Sequence, residues 1–253
     1  MDTFKIEKKG TKMVGHAGLS GMEMSNTCAG FVAAGNRSYW GIECDLTVAK
    51  DGYVIIHNPT TEVLSPTNIS ISDSTVEEIQ SITLYDHPFF HGMENFGLAN
   101  SGKTRADLRI PTLEEYVRIC KRYDKICVLE LKRPMTAEAI AGVIEEIKRQ
   151  DYLESVVFIS FVRANLEEVR RQLPEAEVQY LTRDTMEFTD EFLDEMAKCR
   201  FDLDIHIFTA TKELVDKMHE RGIKVNVWTC DWIDKAEALV EWGVDYITTN
   251  ILE

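Results

Sequence analysis

The sequence has no long apolar run: nowhere do about 20 consecutive apolar residues occur, the length that a membrane-spanning helix needs. The lysines in the first twelve residues are not followed by an apolar stretch, so we expect neither a signal peptide nor stable membrane insertion. The six cysteines are scattered without a C-x-x-C pair, which argues against a zinc ribbon or a thiol redox motif. Scattered thiols are typical of a reducing compartment, and we expect a cytoplasmic protein.

Basic residues are also scarce. The chain has 28 Lys and Arg against 43 Asp and Glu, a formal net charge of −15 at pH 7. Long-range attraction to nucleic acid or to an anionic membrane depends on clustered Lys and Arg, so we expect neither as a partner. A phosphate substrate would need local positive charge, which a bound divalent cation can supply. The sequence leaves the oligomeric state open.

From about residue 112 onward the sequence alternates helical and strand-like segments with short turns, as in successive βα units. Gly222 and Gly243 directly follow two helical segments, where glycine commonly ends a helix. We predict helices over about 27–34, 112–123, 136–150, 163–173, 189–198, 211–221 and 232–242. We predict strands over about 13–15, 41–45, 126–131, 156–160, 178–181, 203–207, 224–229 and 244–248.

Eight strands with intervening helices predict an α/β protein, a single (β/α)8 TIM barrel in one domain over residues 1–253. A doubly wound open sheet is the alternative. Such a sheet commonly carries a glycine-rich phosphate loop after its first strand. Neither G-x-G-x-x-G nor G-x-x-x-x-G-K occurs in this sequence, which favours the barrel. The segment of about 58–111, after the second strand, is too long for an ordinary βα loop, and we predict an insertion over the barrel mouth.

Polar residues at the carboxyl ends of strands are the first candidates for chemistry, because the active sites of such barrels lie there. His16 ends the first strand between glycines that allow a close approach, although a lone histidine in a turn is an equal alternative. On the second strand Glu43 and Asp45 lie two residues apart, so both side chains project from one face. A bridging cation explains such a pair better than a solvent-facing strand does, since the carboxylates otherwise repel each other.

A predicted hairpin places His57. Asp51-Gly52 lies between two β-rich runs and is a strong signal for a two-residue turn. With that turn, Leu46 falls opposite His57, and the histidine returns beside Asp45. A histidine close to two carboxylates is a better catalytic candidate than an isolated one.

The strand at 126–131 repeats the same spacing, with Glu130 and Lys132 on a common face. A structural Glu–Lys ion pair is one interpretation. The other is that Glu130 joins Glu43 and Asp45 in an all-oxygen triad, the ligand set suited to Mg²⁺ or Ca²⁺. Water and substrate phosphate oxygens would complete that shell.

Other polar and aromatic candidates are weaker. Trp228 ends the seventh strand and is either a hydrophobic wall of the site or a core aromatic. His206 ends another strand and could line the same pocket. His87 and His91 have helical spacing within the insertion, but no third ligand accompanies them. Ser160 lacks the G-x-S-x-G context of a serine hydrolase.

Taken in order, these residues resemble the glycerophosphodiester phosphodiesterase family, whose pattern is H-R-G, E-N-T, E-x-D, a D-G hairpin leading to H-D, and E-x-K. The counterparts here are His16-Ala17-Gly18, Ser25-Asn26-Thr27, Glu43-Cys44-Asp45, Asp51-Gly52, His57-Asn58 and Glu130-Leu131-Lys132. The resemblance continues through Pro111-Thr112-Leu113-Glu114-Glu115, Ser160-Phe161, Val227-Trp228-Thr229 and 243–250, so it covers nearly the whole chain.

The resemblance implies roles for the site residues. It implies that the carboxylate triad binds the metal, that His16 and His57 are the acid–base pair, and that Lys132 contacts phosphate. Three positions depart from the pattern: the family's phosphate-contacting arginine is Ala17 here, its E-N-T glutamate is Ser25, and the aspartate of its H-D is Asn58. The first two departures look coordinated, because the glutamate can be the partner of the missing arginine.

We therefore expect metal-dependent hydrolysis of glycerophosphodiesters to an alcohol and glycerol phosphate, a step in lipid and glycerol metabolism. One histidine would deprotonate the nucleophile while the other protonates the leaving alcohol. Two alternatives stay open. Ala17 motivates a related lysophospholipase D-like or cyclising phosphodiesterase, and a non-catalytic barrel that binds a phosphate ligand is the other. A binder has no evident need for an acid–base pair.

Overall fold

The structure, a computed structural model, describes residues 2–86, 103–183 and 187–253. Within these residues the strands are β1 Lys12–Gly15, β2 Gly41–Val48, β3 Tyr53–Ile55, β4 Leu84–Tyr85, β5 Thr104–Arg105, β6 Ile126–Leu131, β7 Val156–Ser160, β8 Glu177–Leu181, β9 Asp202–His206, β10 Val225–Trp228 and β11 Tyr246–Thr249. The helices are α1 Cys28–Gly35, α2 Val76–Gln80, α3 Leu113–Arg122, α4 Ala137–Arg149, α5 Arg163–Gln172, α6 Asp190–Cys199, α7 Lys212–His219 and α8 Ile233–Glu241.

Eight parallel strands close into a barrel. Going round it, β1 is followed by β2, β6, β7, β8, β9, β10 and β11, and β1 pairs with both β2 and β11. The predicted TIM barrel is confirmed and the open doubly wound sheet is excluded. β3 lies outside the ring and pairs antiparallel with β2. Among the described residues, no helix is long and apolar enough to cross a membrane.

The helix α3 illustrates two features that favour these helices: an apolar stripe that faces the strands, and a polar residue that caps the first turn. Its buried residues Leu113, Tyr116, Val117 and Cys120 recur at helical spacing and face the strands. Thr112 begins the helix with a capping box, which satisfies backbone N–H groups that otherwise lack partners. The hydroxyl of Tyr116 also donates to the carbonyl of Ile42 on β2 at 2.6 Å.

The main core lies between the strands and the helices, while the interior of the barrel holds a smaller apolar cluster beside polar side chains. The outward-facing Leu129 and Leu131 are buried against the helical layer. On inward-facing positions, Asn226 donates to Gln179 at 3.0 Å and accepts from Thr248 at 3.2 Å. These pairs satisfy polar groups that would otherwise be costly to bury.

Most predicted boundaries agree with the structure to within two residues. Gly222 and Gly243 adopt φ of +73° and +81°, the left-handed conformation of a helix-ending glycine. The second strand is longer than predicted and runs to Val48, because the hairpin strand β3 pairs with its second half.

The predicted hairpin register is wrong by two residues. Leu46 lies opposite Ile55 rather than His57, since the turn comprises residues 49–52 instead of Asp51-Gly52 alone. Contacts with the predicted insertion hold this wider turn: the amide of Lys50 donates to the carbonyl of Ser74 at 3.0 Å. The chain nevertheless returns to Asp45, whose carbonyl accepts from the amide of Ile56 at 2.8 Å.

The segment predicted as an insertion, about 58–111, follows this hairpin. Its described parts contain α2 and the two-stranded β4–β5 pair, with a small apolar cluster of its own that includes Ile71, Ile79 and Ile110. This cluster also contains Val54 and Ile56 from the hairpin, so the insertion packs on the segment that precedes His57. His87 and His91 lie outside the described residues.

Candidate active site

The turn after β1 sets the position of His16. Ala17 and Gly18 have φ of +47° and +90°, and a side chain at Gly18 would lie 2.7 Å from the backbone carbon of Gly30. The chain therefore needs glycine at position 18 to turn this tightly. The amide of His16 donates to the carbonyl of Thr249 at 2.9 Å, which fixes the turn to the end of β11.

Three carboxylates meet on neighbouring strands. Glu43 and Asp45 project inward from β2, and Glu130 lies opposite Asp45 on β6. One oxygen from each lies within 4.8 Å of the others, and the residues are only 3%, 4% and 6% exposed. The structure thus brings together the three residues predicted as metal ligands.

Neighbouring polar groups orient two of these carboxylates. Oε2 of Glu43 accepts from the amide of Ala17 at 2.7 Å. Oδ2 of Asp45 accepts from Nδ2 of Asn26 at 2.6 Å, and Oδ1 of Asn26 accepts from the amide of Asp45 at 3.1 Å. Asn26 has a φ of +55°, a conformation that asparagine tolerates better than most residues. The turn after β1 and the segment before α1 therefore hold the carboxylates in place.

Lys132 supplies the nearest positive charge. Its Nζ lies 3.2 Å from Oδ1 of Asp45 and 3.0 Å from Oε1 of Glu130. Burial acts to lower the pKa of Lys132, but these two carboxylates outweigh it and raise the pKa. Burial likewise acts to raise the pKa of Asp45, and Lys132 with His57 brings it below its ordinary value. Lys132 and Asp45 therefore form a charged pair.

The other two carboxylates carry more charge than one ammonium can balance. Burial, followed by the charge of Asp45, raises the pKa of both Glu43 and Glu130 well above the ordinary range. Three carboxylates and one ammonium have a formal charge of −2, which a divalent cation would neutralise. The donor set is all oxygen and buried, so the residues fit a hard cation such as Mg²⁺ or Ca²⁺.

The two histidines lie at the same end of the barrel, each with its Nδ1 facing an asparagine. Nδ1 of His16 lies 2.8 Å from Oδ1 of Asn250, and Nδ1 of His57 lies 2.8 Å from Oδ1 of Asn58. His16 is half-buried and His57 is exposed. A positive charge on either ring acts to lower the pKa of Asp45.

Trp228 lies at the end of β10 with aromatic rings on two sides. Its ring meets those of His206 and Phe161 edge to face, with centroids 5.0 and 5.4 Å apart. Its Nε1 donates to the carbonyl of Asp204 at 3.2 Å. The tryptophan is half-buried, so it presents an apolar surface at the mouth of the barrel. Ser160 is buried and donates to the carbonyl of Leu131 at 2.6 Å, a structural contact.

The sequence of this site matches a known family. The model of the Glycerophosphoryl diester phosphodiesterase family matches residues 16–253. The chain belongs to this family. Membership makes it a phosphoric diester hydrolase, as the motifs of the sequence predicted.

Individual relatives agree over almost the full length. A glycerophosphodiester phosphodiesterase from Caldanaerobacter subterraneus subsp. tengcongensis is 27% identical over 246 residues, covering 95% of this chain and 94% of its own. A glycerophosphodiester phosphodiesterase structure from Parabacteroides distasonis has a TM-score of 0.73 at 24% identity, covering 96% and 94%. An Oleispira antarctica phosphodiesterase in complex with the product sn-glycerol-3-phosphate has a TM-score of 0.78 at 22% identity, covering 94% and 92%. The two structures show that the fold is shared.

Several polar residues of this phosphodiesterase were not singled out from the sequence. Asn26 was noted only as part of a motif, and its clamp on Asp45 depends on a turn that no local pattern reveals. Asp204 is 1% exposed inside the barrel, where burial and then Glu130 raise its pKa well above the ordinary value. The alternation of polar and apolar residues in 202–206 was the available signal, because it predicts inward-facing polar side chains on β9.

Proposed function

We propose that this enzyme hydrolyses glycerophosphodiesters to an alcohol and glycerol phosphate, with Glu43, Asp45 and Glu130 holding a divalent cation, Mg²⁺ or Ca²⁺. The observation that carries the proposal is the buried carboxylate cluster, with donor oxygens within 4.8 Å on the adjacent strands β2 and β6. The names of the relatives support the substrate class, and the Oleispira antarctica protein holds a glycerol phosphate.

The bound cation would neutralise the phosphodiester and stabilise negative charge on its oxygens during cleavage. Lys132, already poised beside Asp45 and Glu130, would contact the same phosphate. His16 and His57 would act as the acid–base pair, because imidazole can both accept and donate a proton near neutral pH. Trp228 would form the apolar wall against which the substrate lies.

The enzyme has no arginine beside His16. Ala17 is 2% exposed and its amide is committed to Glu43, so nothing at this position reaches a phosphate through a side chain. The cation and Lys132 would therefore provide the phosphate contacts here. All six cysteines are free thiols, which supports a cytoplasmic location.

Substrate profiling with metal control tests the proposal. Glycerophosphocholine and glycerophosphoethanolamine are incubated with Mg²⁺, with Ca²⁺ or with a chelator, and the products are identified by ³¹P NMR. Release of glycerol phosphate that stops on chelation and resumes with one cation supports the proposal. A cyclic phosphate product would instead indicate the cyclising reaction, and binding without turnover would indicate the non-catalytic barrel.

One observation favours a second substrate, a lysophospholipid. Phe208 and Trp232 are 75% and 45% exposed, and their ring centroids lie 6.5 Å apart. The ring of Phe208 also lies 5.2 Å from that of His206, which in turn contacts Trp228. An acyl chain could cover this surface, since exposed aromatic residues that continue from a site commonly mark a binding surface. Phe208→Ser with Trp232→Ser should then raise KM for lysophosphatidylcholine but not for glycerophosphocholine. Val32→Ser, a change at another exposed apolar position, is the control.

A further inference from the structure

A chain of hydrogen bonds connects His16 to a carboxylate outside the metal cluster. Asn250 follows β11 directly, and its Oδ1 lies 2.8 Å from Nδ1 of His16. Its Nδ2 donates to Oδ2 of Asp231 at 2.6 Å, and its backbone amide donates to Oδ1 of Asp231 at 2.7 Å. The hydroxyl of Thr249 donates to Oδ1 of Asp231 at 2.9 Å. Three donors thus hold one carboxylate at the end of this strand.

Asp231 fixes which way the amide of Asn250 points. An ionised carboxylate only accepts hydrogen bonds, so the NH₂ group of Asn250 must face Asp231. Its carbonyl oxygen consequently faces His16, and the hydroxyl of Ser20 donates to the same oxygen. If the side-chain amide of Asn250 were turned over, its carbonyl oxygen would face the carboxylate of Asp231. Its hydrogen bonds to Asp231 and to His16 would then both be lost. The orientation follows from donor and acceptor chemistry alone.

The fixed carbonyl in turn determines where His16 carries its proton. A carbonyl oxygen is only an acceptor, so Nδ1 of His16 must be the donor in this contact. If the proton were on Nε2 instead, the lone pairs of Nδ1 and the carbonyl oxygen would face each other at 2.8 Å. The neutral ring therefore has N–H at Nδ1 and a free lone pair at Nε2.

We infer that Asn250, held by Asp231, is a positioning residue that keeps the proton of His16 on Nδ1 and leaves Nε2 as the atom that exchanges protons with the substrate. The inference rests on the proposed acid–base role of His16. It holds whether His16 is the acid or the base, because Nδ1–H donates to Asn250 in both protonation states. The group that accepts the hydrogen bond from Nδ1 of His16 is therefore a neutral amide. The negative charge lies on Asp231, which contacts this amide but not the histidine.

The first test measures the tautomer directly. Two-bond ¹H–¹⁵N correlation spectra are recorded on the metal-free, substrate-free protein at a pH where the ring is neutral, and His16→Gln identifies the signals. We expect the Nδ1–H form in the wild type and a shift to Nε2–H in Asn250→Ala. An Nε2–H form in the wild type overturns the inference. This readout needs no turnover, so it stands apart from failure of the proposed function.

The second test is kinetic and uses a charge swap. Asn250→Ala should lower kcat on the order of tenfold to a hundredfold with little change in KM, the range typical of residues that orient a functional histidine. Asn250→Asp alone should also lose activity, because it sets a second carboxylate against Asp231, whose oxygen lies 2.6 Å from Nδ2.

Combining Asp231→Asn with Asn250→Asp should restore much of kcat, together with the Nδ1–H tautomer. The new amide at position 231 can still accept from Thr249 and from the backbone amide of residue 250, and it can donate to the new carboxylate. A swap variant no more active than either single variant overturns the inference, as does an Asn250→Ala variant with wild-type kcat and tautomer. His219→Gln, at the carboxyl end of α7, is the control that should change neither.

Discussion

Nζ of Lys132 lies 3.2 Å from Oδ1 of Asp45, across the β2–β6 pair, in a site where each is at most 12% exposed. The sequence left open whether Glu130 forms an ion pair with Lys132 or joins a metal site. The geometry accommodates both, because Nζ of Lys132 also lies 3.0 Å from Oε1 of Glu130 and the three carboxylates with this ammonium keep a formal charge of −2. The same carboxylates would then serve Lys132 and a cation together.

Removing this ammonium should make the protein depend on metal for stability. Lys132→Met leaves three buried carboxylates without a positive partner, and breaking such a pair costs on the order of 3 kcal/mol. We expect a lower melting temperature without metal and a larger rise on adding Mg²⁺ or Ca²⁺ than in the wild type. Lys212→Met, at an exposed helical ion pair, is the control. Equal responses to the cations in all three proteins would contradict the shared site.

Loss of either histidine should abolish most turnover without unfolding the protein. His16→Ala and His57→Ala each remove a proton-transfer group, which typically costs a hundredfold to ten-thousandfold, as an order-of-magnitude estimate. Because His57 is exposed and His16 half-buried, the melting temperature should fall little for His57→Ala. His219→Gln should keep full activity. Unchanged kcat in His57→Ala would remove His57 from the mechanism.

Asn26 should control metal affinity through Asp45. Asn26→Asp keeps the acceptor for the amide of Asp45 but replaces the donor at 2.6 Å with a like charge. We expect the cation to bind about tenfold to a hundredfold more weakly in this variant, as for other residues that orient a metal ligand. Isothermal titration with each cation measures the change. Asn36→Asp, at an exposed position after α1, should bind the metal as the wild type does.

How much of this site the sequence could predict depends on the range of the interactions. The spacing of Glu43 and Asp45 predicted a shared face because the pleat of a strand is local and periodic. Parallel neighbours then brought Glu130 opposite Asp45. These inferences needed only the pattern within strands and the closure of the barrel.

Residues fixed by long-range contacts escaped this reasoning. The hairpin turn was assigned to Asp51-Gly52, but Oδ1 of Asp51 accepts from the amide of Val76 at 2.8 Å, so a contact with the insertion decides the turn. Asn250 likewise gains its orientation from Asp231, on the loop after β10. Local propensity carries no information on either contact, because each depends on how two distant segments pack.

Asp202, at the start of β9 and away from the active site, should make the free energy of unfolding depend on pH. Burial raises its pKa from 3.8 to about 6, even though the hydrogen bond from the amide of Lys224 acts in the other direction. The folded state then binds more protons than the unfolded state between these values, so the contribution of Asp202 to stability is present below pH 3.8 and is lost as pH rises through 6.

Asparagine at position 202 stays neutral and can still accept from the amide of Lys224. Asp202→Asn should therefore increase the free energy of unfolding at pH 7.5 by on the order of 1 to 3 kcal/mol, with the difference vanishing near pH 4. Urea unfolding at both pH values measures this change, and Asp216→Asn, at an exposed ion pair, is the control. The prediction is contradicted if Asp202→Asn is less stable than the wild type at pH 7.5, or if the difference in unfolding free energy does not change with pH. Either result would show that ionising Asp202 does not destabilise the folded state.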